Sequence, residues 1–94
     1  MVKHIILFKF RDPDESVPVA REKLHSLKEA IPEIVSIETG RDFLGSARSY
    51  DMALIVTFRD RAGLEVYDKH PAHQKVREYI HAHRESSVAV DFEF

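Results

Sequence analysis

From its second residue the chain alternates: Val2, His4, Ile6, Phe8 and Phe10 fall on one side of an extended segment, and Lys3, Ile5, Leu7 and Lys9 on the other. Both sides carry apolar residues, which predicts a strand covered on two faces. After the polar turn Arg-Asp-Pro-Asp-Glu-Ser, the residues Val17, Ala20, Leu24, Leu27 and Ile31 recur every three or four positions. That period draws one stripe down a helix ended by Pro32, with Ser16 or Asp14 as the expected cap. Residues 34–39 predict a short second strand, and residues 40–49, with two glycines among mixed polar residues, a loop placed to cover a pocket. In residues 52–58, Met52, Leu54, Val56 and Phe58 alternate with Ala53, Ile55 and Thr57. This third strand is apolar nearly all round, as a central strand would be. Residues 61–69 start a helix that Pro71 interrupts, and Val76, Tyr79, Ile80 and His83 continue a helical stripe towards Arg84. A last strand is expected over residues 88–94, with Val88, Val90, Phe92 and Phe94 on one face and Ala89, Asp91 and Glu93 on the other.

The order β-α-β-β-α-β suits an α+β fold of the ferredoxin-like kind, a four-stranded antiparallel sheet with both helical crossovers packed on one face. Nothing in the chain is left over to cover the other face, although strands one and three are apolar on both sides. A second copy is the economical cover, which predicts a homodimer with sheets face to face, a dimeric α+β barrel. The alternative is a monomer that tolerates Ile5 and Leu7 in water.

The 94 residues, 44% of them hydrophobic, suffice for one domain over 1–94 and one core, at a size that gains from self-association. The absence of cysteine excludes disulfides and thiolate metal sites. A formal charge of −2, with 14 basic residues against 16 acidic ones, offers no field for nucleic acid. The apolar run at the N-terminus is too short to span a membrane and lacks a signal-cleavage region, so a soluble cytoplasmic protein is expected.

The chemistry concentrates in Tyr-Asp-Lys-His-Pro-Ala-His-Gln, residues 67–74, where a phenol and two imidazoles gather around one helix start. Pro71 suits the first position of a helix and pushes His70 out of the helical region. His73 then lies in the first turn, where free N–H groups and the helix dipole disfavour a protonated ring. A neutral imidazole is the form that acts as a base. His70 and His73, with His4, have the residue types for a metal, but Pro71 turns His70 out of register. His70 therefore reads as a cap or loop-anchoring residue, and no metal or other cofactor is expected. His81 and His83 suit the negative end of the second helix. Arg59, Asp60 and Arg61 read as a solvated turn.

Several segments together resemble the Dabb proteins, the stress-responsive A/B barrel domain family of dimeric α+β barrels. The resemblance lies in the first strand Val-Lys-His-Ile-Ile-Leu-Phe-Lys-Phe, the Ile-Pro-Glu-Ile turn, the Tyr-x-x-His-Pro-x-His element and the closing Val-Asp-Phe-Glu strand. Most members of the family have no assigned reaction. The olivetolic acid cyclase branch closes a linear tetraketide thioester by an aldol condensation without a metal, using a first-strand histidine, a tyrosine and the last histidine of His-Pro-Ala-His. The matching residues are His4, Tyr67 and His73. By that resemblance His73 removes a proton alpha to a carbonyl, Tyr67 hydrogen-bonds the developing oxyanion, and His4 orients the substrate.

Each residue also has an ordinary use: His4 as a bonded core histidine, Tyr67 as a packed ring, His73 as a helix-start residue held for stability. Three functions follow from different classes. A metal-independent cyclase or isomerase needs a mostly apolar pocket with His73 and Tyr67 pointing inward. A non-catalytic stress-response module would hold a small apolar or carbonyl-containing ligand there. A structural dimerisation domain would have no cavity between the two side chains.

Overall fold

The computed structural model describes residues 1–94. Strand β1 (Val2–Phe10) leads into helix α1 (Pro13–Ala30), then β2 (Ile34–Arg41), β3 (Met52–Phe58), α2 (Arg61–Lys69), α3 (Pro71–His83) and β4 (Arg84–Glu93). The four strands form one antiparallel sheet in the order β2-β3-β1-β4, the ferredoxin-like arrangement. The two strands that are apolar on both sides, β1 and β3, take its centre, because only central strands lose water from both faces.

The helices lie on one face and the core between them and the sheet. Val2, Phe8 and Phe10 of β1 are buried with Leu54, Val56 and Phe58 of β3 and with the α1 stripe Val17, Ala20, Leu24 and Leu27. Two expectations need correction. The cap of α1 is Asp12, whose carboxylate accepts from the Glu15 N–H at 3.4 Å, rather than Ser16 or Asp14. Pro13 takes the first helical position, so the cap is the residue before it. Ser16 is buried inside the helix. The last strand starts at Arg84, directly after α3, because pairing with β1 extends from Val2 opposite Glu93 to Phe10 opposite Arg84.

On the opposite face, Ile5 stands between Ile55 and Val90, and Leu7 between Ala53 and Val88. No chain segment covers these residues, and Val88, Val90 and Phe92 are exposed. The loop after β2 borders this same face: Phe43, Arg48, Ser49 and Tyr50 surround a concavity of about 440 Å³ with Leu7 and Ala53. It does not line the cavity that holds His73, so the pocket expected beneath it is a different one. No helix is long and apolar enough to cross a membrane.

Candidate active site

A break between α2 and α3 places the acid/base groups. His70 caps α3: its Nδ1 accepts from the Ala72 N–H at 3.1 Å, and its carbonyl accepts from the Gln74 N–H at 3.0 Å. With the ring nitrogen occupied by the backbone, His70 is the cap its sequence position predicts. The break points Tyr67, in the last turn of α2, and His73, in the first turn of α3, at the sheet. Their rings stack with centroids 4.0 Å apart and planes inclined by 27°. His4 projects from β1 and meets Tyr67 edge-on at 6.0 Å.

All three side chains line one cavity of about 150 Å³ between α3, β1 and β4. Its remaining wall is largely apolar, with Ile6, Phe8, Leu24, Leu54, Val76 and Ile80. An engineered cavity of similar volume holds a benzene molecule. A tetraketide with an alkyl tail is far larger than this space.

The electrostatics divide the roles. His73 is 8% exposed. Its Nδ1 lies 3.3 Å from the Asp68 carbonyl oxygen, an acceptor only, so the neutral ring carries its proton on Nδ1 and leaves the Nε2 lone pair free. Burial holds its pKa below the ordinary imidazole value; the Arg77 and His4 charges act in the same direction, and Asp68 opposes them. Tyr67 is 1% exposed, and its hydroxyl has no hydrogen-bond partner in the protein. Burial, reinforced by the Asp68 carboxylate, pushes its pKa well up, so the phenol stays protonated and able to donate.

His4 is held by a residue that sequence reasoning missed. Its Nδ1 contacts the Asp91 carboxylate, which faces it across the β1–β4 ladder. Alternation along the last strand places Asp91 on the helix side of the sheet, away from Val90 and Phe92; only the strand order brings it to His4. His4 lines both the cavity and a shallow surface depression, which Asp91, Arg61, Leu64 and Glu65 also line. Arg77, Arg84 and Ser87 also line the cavity and carried no functional signal in the sequence. Of the two helix-end histidines, His83 is tied by Nδ1 to the Tyr79 carbonyl oxygen at 2.7 Å and stacks on that ring. His81 is exposed, at the rim of the cavity.

The chain is similar over 99% of its length to two solved structures, each 31% identical to it and each described as a dimeric ferredoxin-like protein of unknown function. The one from Bacteroides fragilis is covered to 95% with a TM-score of 0.81, and the one from Thermobifida fusca to 90% with 0.86. A hydroxynitrile lyase from Passiflora edulis shares the fold at 16% identity, with 97% of this chain and 90% of that one covered and a TM-score of 0.85. None of the curated proteins matches. The family model of the stress-responsive A/B barrel domain matches residues 2–94, and the chain belongs to that family, Dabb.

Proposed function

We propose that this chain is a metal-independent enzyme of the cyclase or isomerase type that transfers protons at the carbon beside a carbonyl group. One observation supports the reading: a neutral, buried His73 with Nε2 free shares a small cavity with Tyr67, whose hydroxyl is buried and unpartnered. Buried polar groups are nearly always satisfied, so a bare hydroxyl on a residue that lines a cavity is a place for a ligand oxygen to reach. In the proposed step His73 Nε2 takes the proton from the alpha carbon. The electron pair of that C–H bond moves into an enolate, whose oxygen accepts a hydrogen bond from Tyr67. The imidazolium then returns its proton to the gamma carbon of a conjugated enolate, or to the alkoxide formed when the enolate carbon adds to a second carbonyl. His4, fixed by Asp91, would orient the substrate from the sheet side.

A single domain over 1–94 that pairs through its sheet faces completes the reading. The uncovered apolar strip of Ile5, Leu7, Ile55, Val88 and Val90 supports it, as does the dimeric state of the two relatives at 31% identity.

The second reading, a non-catalytic ligand-binding module, draws on the close stacking of Tyr67 on His73, an arrangement that also serves packing. Hydrogen–deuterium exchange alpha to the carbonyl of 2-butanone, followed by NMR, separates the two. The wild type should speed exchange over buffer, and His73→Asn should slow it by about 10²-fold. Tyr67→Phe should slow it as well while the protein stays at least as stable, because that change removes a buried hydroxyl with no partner. No acceleration by the wild type, or full activity in His73→Asn, would leave only the binding module.

A further inference from the structure

Half of the residues that line the cavity are apolar, and its charged ones are Arg77, Arg84 and a single carboxylate, Asp68. Both arginines are half-buried. Arg77 shares its charge with Asp68, at a Nη1–Oδ1 distance of 3.5 Å, long for a charge-assisted bond. Arg84 has no carboxylate at all: it makes no ion pair, and its Nη1 donates to the neutral Ser87 Oγ at 2.7 Å. Arg41 and Arg61 are exposed and paired, with Asp14 and Glu93, while Arg11, Arg21, Arg48 and Arg59 are exposed and make no ion pair; what sets Arg84 apart is that it lacks a carboxylate while partly buried. A guanidinium partly withdrawn from water gains most from an anion, yet this one lacks it.

Arg84 is also fixed in place. It is the first residue of β4 and the C-cap of α3, its N–H is bonded to the Ile80 carbonyl, and its side chain is pinned by Ser87. A fork held in this way is preorganised for a planar carboxylate, which it can bind with two parallel hydrogen bonds.

We infer that the substrate of this cavity is a short keto acid whose carboxylate is held by Arg84, with Arg77 beside it, while its ketone reaches Tyr67 and His73. The inference rests on the proton-transfer reading of the same site and adds the substrate class. The volume of about 150 Å³ limits the part inside the cavity to roughly the size of benzene, with the carboxylate at the mouth.

Titration of the isotope-labelled protein with levulinate and with methyl levulinate, followed by amide chemical shifts, tests the inference without requiring turnover. Levulinate should bind about tenfold tighter than its ester, the scale of one charged hydrogen-bonding contact. Arg84→Gln should bring the ratio close to one. In the wild type, raising salt from about 0.02 M to about 0.5 M should narrow it, since screening weakens a contact at the cavity mouth; this arm does not depend on how the variant folds. Equal affinities for acid and ester, a ratio unchanged in a folded Arg84→Gln, or a preference for dihydroxyacetone phosphate over levulinate would overturn the assignment. Selective levulinate binding with no exchange of its alpha protons would keep the anion site and remove the proton-transfer reading. Exchange of 2-butanone without levulinate selectivity would do the reverse.

Discussion

His73 is held where burial works against its charge, and the consequence is measurable as stability. In the unfolded chain its imidazole titrates near the ordinary value of about 6.5. In the folded chain its pKa lies lower, chiefly through desolvation. As pH falls below about 6.5 the unfolded state therefore takes up its proton first, which draws the equilibrium towards unfolding. The stabilisation is fully present above that pH and is lost progressively as pH falls towards the folded-state value. Urea midpoints of the wild type should accordingly drop more steeply between about pH 7.5 and about pH 5 than those of His73→Asn. Parallel pH profiles for the two proteins would mean that His73 is not held neutral by the fold. At this scale the meeting of His4, Tyr67 and His73 at one cavity was legible, because Pro71 fixes the helix start and strand alternation fixes the face. Asp91 and Arg84 were not legible, since each acquires its meaning from a neighbour brought in by the tertiary fold: His4 across the β1–β4 ladder for one, the cavity mouth for the other.

The break between α2 and α3 is the element on which the site depends, because it turns one crossover into two short helices whose facing ends carry Tyr67 and His73. It is stabilised locally. Asp60 caps α2 through the Gly63 N–H at 2.8 Å, and His70 caps α3. Removing the second cap with His70→Ala should cost about 1 kcal/mol, the usual scale for a lost N-cap side chain. For a domain of this length that is a fall of about 4–8 °C in Tm. His70→Asp should recover most of the loss, since a carboxylate accepts the same N–H and favours the helix N-terminus. A His70→Ala protein that melts with the wild type would show that Pro71 alone sets the junction. The interruption was readable because proline acts on its own backbone and on the residue before it. The start of β4 was not: Arg84, Glu85, Ser86 and Ser87 show no alternation, and they are held as strand by pairing with β1 rather than by their own preference. The α1 cap was misplaced for a related reason, as Ser16 and Asp14 are good capping residues that Pro13 outranks by taking the first helical position.

Across the whole molecule, one sheet face is buried under helices and the other is left to water, and the residues left there are of the wrong kind for that. Val90, on the edge strand β4 beside Ile5, is 54% exposed in the single chain. Phe43 and Leu44 are exposed in the loop that borders the same face. A chain of 94 residues buries a modest share of its surface on folding, so covering this strip with a second copy adds apolar burial that the fold cannot supply alone. The charge variant Val90→Glu discriminates between a dimer and a tolerant monomer. On a monomer the new carboxylate lies in water and changes stability by no more than about 0.5 kcal/mol. Between two sheets it is buried without a counter-charge and repels its copy from the partner, at a cost of several kcal/mol. Light scattering at micromolar concentrations should therefore give twice the chain mass for the wild type and the chain mass for Val90→Glu, with near-native circular dichroism in both. A wild type already at the chain mass would be the tolerant monomer, and a Val90→Glu protein that remains at twice that mass would place the interface elsewhere; either leaves the apolar strip without its occupant. The cavity lies between the helices and the sheet, on the side away from this strip. The dissociated variant should for that reason still bind levulinate, and loss of binding on dissociation would mean that the partner completes the site.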